Sequence, residues 1–576
     1  MTLNFDFIIF PQQKLSKVMK KHFFILLFVC AYQNLSFAQV ENVQITHPVY
    51  TFLKEMKVKT IIDYFREDES VLSRFEVKFL LEEILTKQSQ LSKTEKKLLD
   101  KYYIEFADIL DEEKTAYLFN PDKNFFTNLS ESFSDKIKYI YAYQDDNANL
   151  YLEMLGHFYH GHRFKPDVNN SNLFDIGFRL RGTAFGKLGY NLTALKGGVS
   201  GNYELAEVIE PQLVTNFKWI EAGENIGNYD FTYGYIKYHT SPAKGMNLSL
   251  QIGREDITLG YGYGSKLVLS GDHPALDFFK FNFDYGVVHF TSFHGSTLGP
   301  FSFNRAERYT KYFAYNKLKI VIPELFDLGI GESIVYSGRG LELGYLSPVN
   351  FYKFVEMAIQ DRDNANIYLD IQTKFIKNIE LQGTFFLDEN ILSNLSDLKL
   401  YTNKTAYQVG GFWYEAFGIQ DLSLILEYTR IRPFMYTHFD VENNYSSHGV
   451  NLGHRIGPNA DELLTQLAYN VSQNLRLELE HRFIRRGDNE YDDSGNLIRN
   501  VGSDIFLTHG EVPENTHTYF LDGVRVNDNI FKIGMRFEPV RDFIFDASYN
   551  YILTDNLTKD HRTDLSYFLL KFLLEY

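Results

Sequence analysis

The chain has 576 residues with 51 Phe and 40 Tyr against 2 Trp, a single Cys and a net charge of −16. One cysteine excludes an internal disulfide and any Cys-based zinc site. The acidity argues against nucleic acid as a partner.

Near the N-terminus, Met19-Lys20-Lys21-His22 is a basic start, residues 23–29 are an apolar run, and Ser36-Phe37-Ala38 is a small-x-small cleavage site. This pattern predicts a secretory signal peptide over 19–38, with Met19 the true start, residues 1–18 not part of the natural protein and the mature chain starting at Gln39. The apolar run is too short to span a bilayer. Cys30 falls inside that segment and does not make a lipoprotein site.

Residues 46–115 have helical spacing: Val49, Phe52, Leu53, Met56; then Val77, Leu80, Leu81, Ile84, Leu85; then Leu98, Leu99, Tyr102, Tyr103, Phe106. Ser73-Arg74-Phe75-Glu76 and Ser92-Lys93-Thr94-Glu95 are capping boxes, so helices are expected to start there. The reading is a compact unit of three or four helices in the periplasm, plugging or capping the β-rich remainder of the chain. Leu72-Ser73-Arg74 ahead of a helix faintly resembles an S-layer homology repeat, which would imply a peptidoglycan contact.

From about residue 135 to 576 the pattern changes to period two. In 378–388, Ile379, Leu381, Phe385 and Leu387 fall on one face; Asn378, Glu380, Gln382, Thr384 and Asp388 fall on the other. In 474–482, Leu475, Leu477 and Leu479 oppose Asn474, Arg476, Glu478, Glu480 and Arg482. Such alternation means strands with one apolar and one polar face. A sandwich would hide the apolar face; a membrane barrel turns it to lipid and keeps a wet interior.

The chain's end favours the barrel. Phe568, Leu570, Phe572, Leu574 and Tyr576 alternate up to the last residue. A bare apolar edge invites aggregation, and closure removes it. A closing strand with a terminal aromatic also resembles the signal read by the outer-membrane barrel-assembly machinery. The expected fold is mainly β: a transmembrane antiparallel β-barrel of about 16–20 strands over 135–576, in contact with outer-membrane lipid. A mean hydropathy of −0.26 suits it, because only alternate positions of its strands need be apolar. The largest loops are expected near 432–461 and 486–529.

The central third carries a recognisable order of blocks. Gly253-Arg254-Glu255-Asp256 leads into Gly260-Tyr261-Gly262-Tyr263-Gly264 and Leu267-Val268-Leu269-Ser270. Gly331-Glu332-Ser333-Ile334-Val335-Tyr336-Ser337-Gly338-Arg339-Gly340 and Tyr345-Leu346-Ser347-Pro348-Val349-Asn350-Phe351-Tyr352 come next, and later Leu452-Gly453-His454-Arg455-Ile456-Gly457-Pro458-Asn459-Ala460-Asp461. Together they resemble the Wzi-like capsule assembly proteins of Bacteroidetes outer membranes, including relatives in gliding bacteria. The resemblance implies an outer-membrane barrel with a helical periplasmic bundle that acts as a lectin for capsular polysaccharide.

The glycan-binding or lumen candidates are Arg254, Arg308, Glu332, Tyr336, Arg339, Glu342, Tyr345, Asn350, Glu356, His448, His454 and Asp461. Arg, Asn and carboxylates meet sugar hydroxyls, and aromatic rings meet the sugar C–H face. The alternative reading of these charges is a lumenal salt-bridge network. Gly260, Gly262 and Gly264 are not succeeded by a helix, so a phosphate loop fails; a bend or close approach is expected. Asp361, Asp363, Asn364 and Asn366 lack the Gly and Glu of an EF-hand. His438, His448 and His454 lack metal-motif spacing. No cofactor is expected, and no Gly-x-Ser-x-Gly elbow supports catalysis. The expected function is non-enzymatic anchoring or assembly of surface polysaccharide; the rivals are a solute-diffusion porin and a structural surface or motility protein.

Overall fold

The computed structural model describes residues 39–576 except 70, 108–109, 112, 120–122, 223–226, 361, 389–395 and 509–516. The expected signal peptide and Asp361 lie outside the described residues.

Helices α1 (Val49–Val58), α2 (Arg74–Thr86) and α3 (Lys93–Phe106) pack around a core that includes Phe52, Leu53, Met56, Leu81, Leu99 and Phe106. Both capping boxes form. The Ser73 amide donates to Glu76 at 2.8 Å, and the Glu95 amide donates to Ser92 Oγ at 3.0 Å. Each closes two otherwise orphaned amides at its helix start. Helix α4 (Phe125–Ser132) comes next.

Eighteen antiparallel strands then close a barrel, the last pairing with the first. They are β1 (Asn149–Lys165), β2 (Asn169–Ala184), β3 (Leu188–Gly201), β4 (Gly227–Ala243), β5 (Met246–Glu255), β6 (Leu276–Tyr285), β7 (Val288–Leu298), β8 (Thr310–Ile322) and β9 (Phe326–Ser337). The circuit continues through β10 (Asn364–Thr373), β11 (Ile379–Leu387), β12 (Thr405–Tyr414), β13 (Leu422–Ile431), β14 (Ala460–Ser472), β15 (Leu475–Asp488), β16 (Val524–Val540), β17 (Phe543–Asn556) and β18 (His561–Glu575). A short strand, Tyr141–Gln144, pairs beside the start of β1.

Every long connection (202–226, 256–275, 338–363, 432–459, 489–523) lies at one end; the other end has tight turns such as 244–245, 473–474 and 541–542. The upper connections carry short helices: α5 (Tyr203–Ile209), α6 (Phe217–Ala222), α7 (Leu343–Leu346) and α8 (Tyr352–Ala358).

Alternation assigns the faces. On β8, Lys317 and Lys319 are buried inside while Leu318 and Ile320 are exposed outside. On β11, Glu380 and Gln382 point in and Leu381 and Phe385 point out. Lipid demands the apolar outward set, because the bilayer core offers no partner to polar groups.

The polar interior is largely filled. The helical unit enters from the tight-turn end, where Lys59 pairs with Glu415 at 2.8 Å and Ser92 Oγ donates to Asp421 at 2.8 Å. Connection 256–275 descends from the opposite end until the Gly260 amide donates to the Asp68 carbonyl at 2.8 Å. Cavities of about 430 and 440 Å³ remain beside β14–β18 and one of about 400 Å³ beside β16–β18 and β1–β5, all three touching Lys571.

Candidate functional site

The floor of the interior is ionic. Asp68 sits between Lys317 and Lys319, 2.5 Å from Lys319 Nζ, and Lys317 also meets Asp370 at 2.7 Å. Burial opposes the charged form of Asp68, but the two ammoniums outweigh it and hold the carboxyl well below the usual range. Glu67 takes Lys54 and Lys57; they overcome the same burial and bring it down to about 2. Sequence reasoning missed this network. Its signal was Lys311, Lys317 and Lys319 on one face of β8.

The roof is aromatic. Tyr436 and Tyr445 stack 5.2 Å apart and donate to the Leu267 and Val268 carbonyls at 2.9 and 2.7 Å. Leu267, Val268 and Leu269 are wholly buried beneath them. The glycine-rich stretch 260–264 therefore lies on an infolded connection, not on a strand. Gly260 takes φ +94°, a backbone that side chains rarely adopt. The large loop expected near 432–461 is mostly roof: Thr437, His438, Tyr445, Leu452 and His454 are buried.

Seven of the twelve candidates meet in one cluster, on the outside of the wall. Connection 338–363 folds outward over β7–β10. The Tyr336 hydroxyl lies 2.8 Å from His294 Nε2 and accepts the Glu342 amide at 3.1 Å. Glu332 accepts the Tyr352 amide at 2.9 Å. Arg339 stacks over Tyr336 at 4.8 Å and pairs with Asp363 at 2.5 Å, and the Tyr345 hydroxyl donates to that same carboxylate at 2.7 Å. Asn350 donates to the Gly344 carbonyl at 3.2 Å, and buried Glu356 pairs with Lys353 at 2.7 Å.

Placement in the lumen is corrected for others as well. Arg254 pairs with Asp277 at 3.1 Å on the outer face near the upper rim. Asp461 holds Arg485 at 2.9 Å and the Tyr428 hydroxyl at 2.9 Å on that face, in line with exposed Leu463. Strand ends above the hydrocarbon, or covered by a folded connection, are released from the rule that outward means apolar. His454 alone is deep, its Nε2 3.9 Å from Glu462.

Two candidates converge at the open end. Arg308, exposed, lies over Phe301 at 4.9 Å and Phe217 at 5.9 Å, its Nε donating to the Ser302 carbonyl at 2.7 Å. With Val214, Tyr309 and His448 they line a cleft of about 250 Å³. The His448 amide donates to the Leu298 carbonyl at 2.8 Å and fixes this side of the cleft to the rim. Phe303, 75% exposed, stands edge-on to Phe301 at 5.0 Å. A guanidinium framed by aromatic faces suits a sugar that carries a carboxylate. Phe217 and Phe301 were missed because neither sits in a periodic segment. Among the described residues, no group of three or more His, Cys, Asp or Glu is placed to hold a metal ion.

The family model of the capsule assembly protein Wzi matches residues 127–565, essentially the whole barrel. The chain belongs to this family. Its fold is that of an outer-membrane β-barrel, similar to the structure of Wzi from Escherichia coli, described as a carbohydrate-binding β-barrel involved in group 1 capsule assembly. That structure is 10% identical, with a TM-score of 0.54, covering 93% of this chain and 99% of the other. OprD of Pseudomonas aeruginosa is 11% identical with a TM-score of 0.40, covering 74% of this chain and 94% of the other. OccD3 (OpdP) of the same organism is 10% identical with a TM-score of 0.41, covering 74% and 91%. No curated protein matches the sequence.

Proposed function

We propose that this protein binds capsular polysaccharide at its outer mouth and holds it on the cell surface without covalent chemistry. The observation that carries the reading is the Arg308–Phe301–Phe217 cleft at the rim of a family barrel whose interior is largely filled, from both ends. The helical unit and the infolded connection leave little of the lumen free, and this weighs against a diffusion porin, which needs a wide path. Individual sugar contacts are weak, with an aromatic contact worth about 0.5–1.5 kcal/mol beyond its burial. Retention then comes from repeated contacts along a polymer.

The test is Arg308→Ala with Phe301→Ala, after heat-modifiable mobility has established a folded barrel. Cell-bound polysaccharide should fall and released polysaccharide rise, with synthesis unchanged. An unaltered ratio, together with a large single-channel conductance of the native protein, would return the porin reading.

The helical unit is proposed to face the periplasm. It docks at the tight-turn end, and in bacterial barrels the short turns are periplasmic. Single cysteines at Lys87 and Lys93 should resist an impermeant thiol reagent in intact cells and react once the outer membrane is opened. Labelling in intact cells would reverse the orientation.

A further inference from the structure

Connection 338–363 covers a polar patch on a wall that elsewhere faces hydrocarbon. Ser292, His294, Asn316, Glu332 and Tyr336 all point outward by strand parity, yet all but Glu332 are buried and Glu332 is half-buried. The covering layer supplies their partners: the Tyr352 amide for Glu332, the Glu342 amide for Tyr336, the Asn350 carbonyl for Asn316 at 3.5 Å. Tyr345 and Tyr352 seal it against Ala314 and Ile334. The Arg339–Asp363 pair ties the two ends of the connection together.

The far side of this layer is apolar and open. Val349 is 83% exposed, Leu343 77%, Phe354 74%, Phe351 67% and Met357 64%. Facing water, so large a patch would be an aggregation liability.

Height decides what faces it. Ser292, Asn316 and Glu332 share one register row; on one flank Ser292 is in register with Phe281, and Phe281 with exposed, outward Leu250. On the other flank Glu332 is in register with exposed Ile367, and Ile367 with outward Leu387. Strand tilt carries register partners upward on one flank and downward on the other. Apolar outward residues on both flanks therefore place the patch within the lipid belt.

We propose that residues 341–359 form an in-plane flap in the outer leaflet, its inner face sealing the polar patch and its outer face, centred on Val349, Phe351, Phe354 and Met357, in contact with lipid hydrocarbon. The Lys353 ammonium is compensated by Glu356 at 2.7 Å, so the flap's outer face carries no unpaired charge there. The flap is independent of the glycan reading: it concerns the wall, not the mouth.

The test uses the full chain in phosphatidylcholine vesicles, with Cys30→Ser where the precursor is used. Single nitroxides replace Val349, Phe354, the wall residue Ile330 and the mouth residue Phe303. The ratio of oxygen to nickel-chelate accessibility at 349 and 354 should match Ile330 and exceed Phe303 several-fold. A ratio like that of Phe303 would overturn the proposal and leave the patch to water or a protein partner. If a label at 354 prevents insertion, Val349→Trp in a Trp219→Phe, Trp413→Phe background gives a second reading. Brominated lipid should quench it strongly; no quenching would sink the flap.

Discussion

The floor and roof of the interior hold by different physics. On the floor, Asp68, Lys317, Lys319 and Asp370 form a balanced set of two anions and two cations out of water. On the roof, Tyr436 and Tyr445 clamp the Leu267–Leu269 segment with rings and single hydroxyls, and His454 is buried beside them. The floor is all-or-nothing, since each charge depends on the others. The roof is graded, because contacts are lost one at a time.

The largest effect should come from unbalancing the floor. Asp68→Leu leaves a buried lysine uncompensated, at about 3–5 kcal/mol. Thermal unfolding should move down and the helical unit should become open to protease. Adding Lys319→Met leaves Lys317 paired with Asp370 and should recover most of the loss. If the single and double variants unfold alike, charge balance is not what holds the floor.

Acid should separate the two closures. Burial pushes His438 and His448 down to about 4 and His454 well below its usual value, the latter helped by Arg455 and Arg482. Glu462, near His454, favours its protonation; Asp440 does so at His438 and Asp277 at His448, but none reverses the shift. Neutral when folded, these imidazoles contribute stability that is complete above about pH 6.5 and is lost as pH falls toward their depressed values. A wholly buried one costs about 2 kcal/mol at pH 5. Asp68 and Glu67 have depressed values, so their contribution is present above the ordinary carboxylate range and disappears only as pH falls through those lower values. Between pH 6.5 and 5 the roof should loosen while the floor holds. Hydrogen exchange, corrected for its intrinsic pH dependence, should rise in 432–459 and not in 49–106. Equal rises would end the contrast.

The same contrast explains what was legible in the sequence. Lipid imposes alternation residue by residue, so Leu475, Leu477 and Leu479 announced β15, and the closing strand announced itself down to Leu574. The capping boxes at Ser73 and Ser92 are local and were equally plain. The floor pairs residue 68 with 317 and 319, and nothing local encodes that match. The flap left a trace that alternation alone does not interpret. Ile334-Val335-Tyr336 and Tyr312-Phe313-Ala314-Tyr315 are apolar on both faces, as strands covered on both sides are. Their polar neighbour Glu332 read as a glycan or lumen residue for the same reason. The Arg308 cleft joins the connections at 217, 301 and 448, which only the closed barrel brings together.

The smallest effect should come from one hydroxyl in the roof. Tyr445→Phe keeps the ring against Phe313 at 5.7 Å, Tyr436 at 5.2 Å and Phe386 at 6.0 Å. It removes the donor to the Val268 carbonyl and a 3.4 Å contact with Ser333 Oγ. A buried hydrogen bond contributes about 1 kcal/mol net, more where its acceptor is left dry. The expected change is a modest rise in exchange over 256–275, with unfolding temperature nearly unmoved. Tyr445→Ala also deletes the ring and should cost about 3–5 kcal/mol, as large aromatic truncations do. That pair of variants asks whether the roof is held by packing or by its hydroxyls. If Phe were as damaging as Ala, the hydrogen bond to the infolded segment would be the latch, and the roof would fail all at once as the floor does.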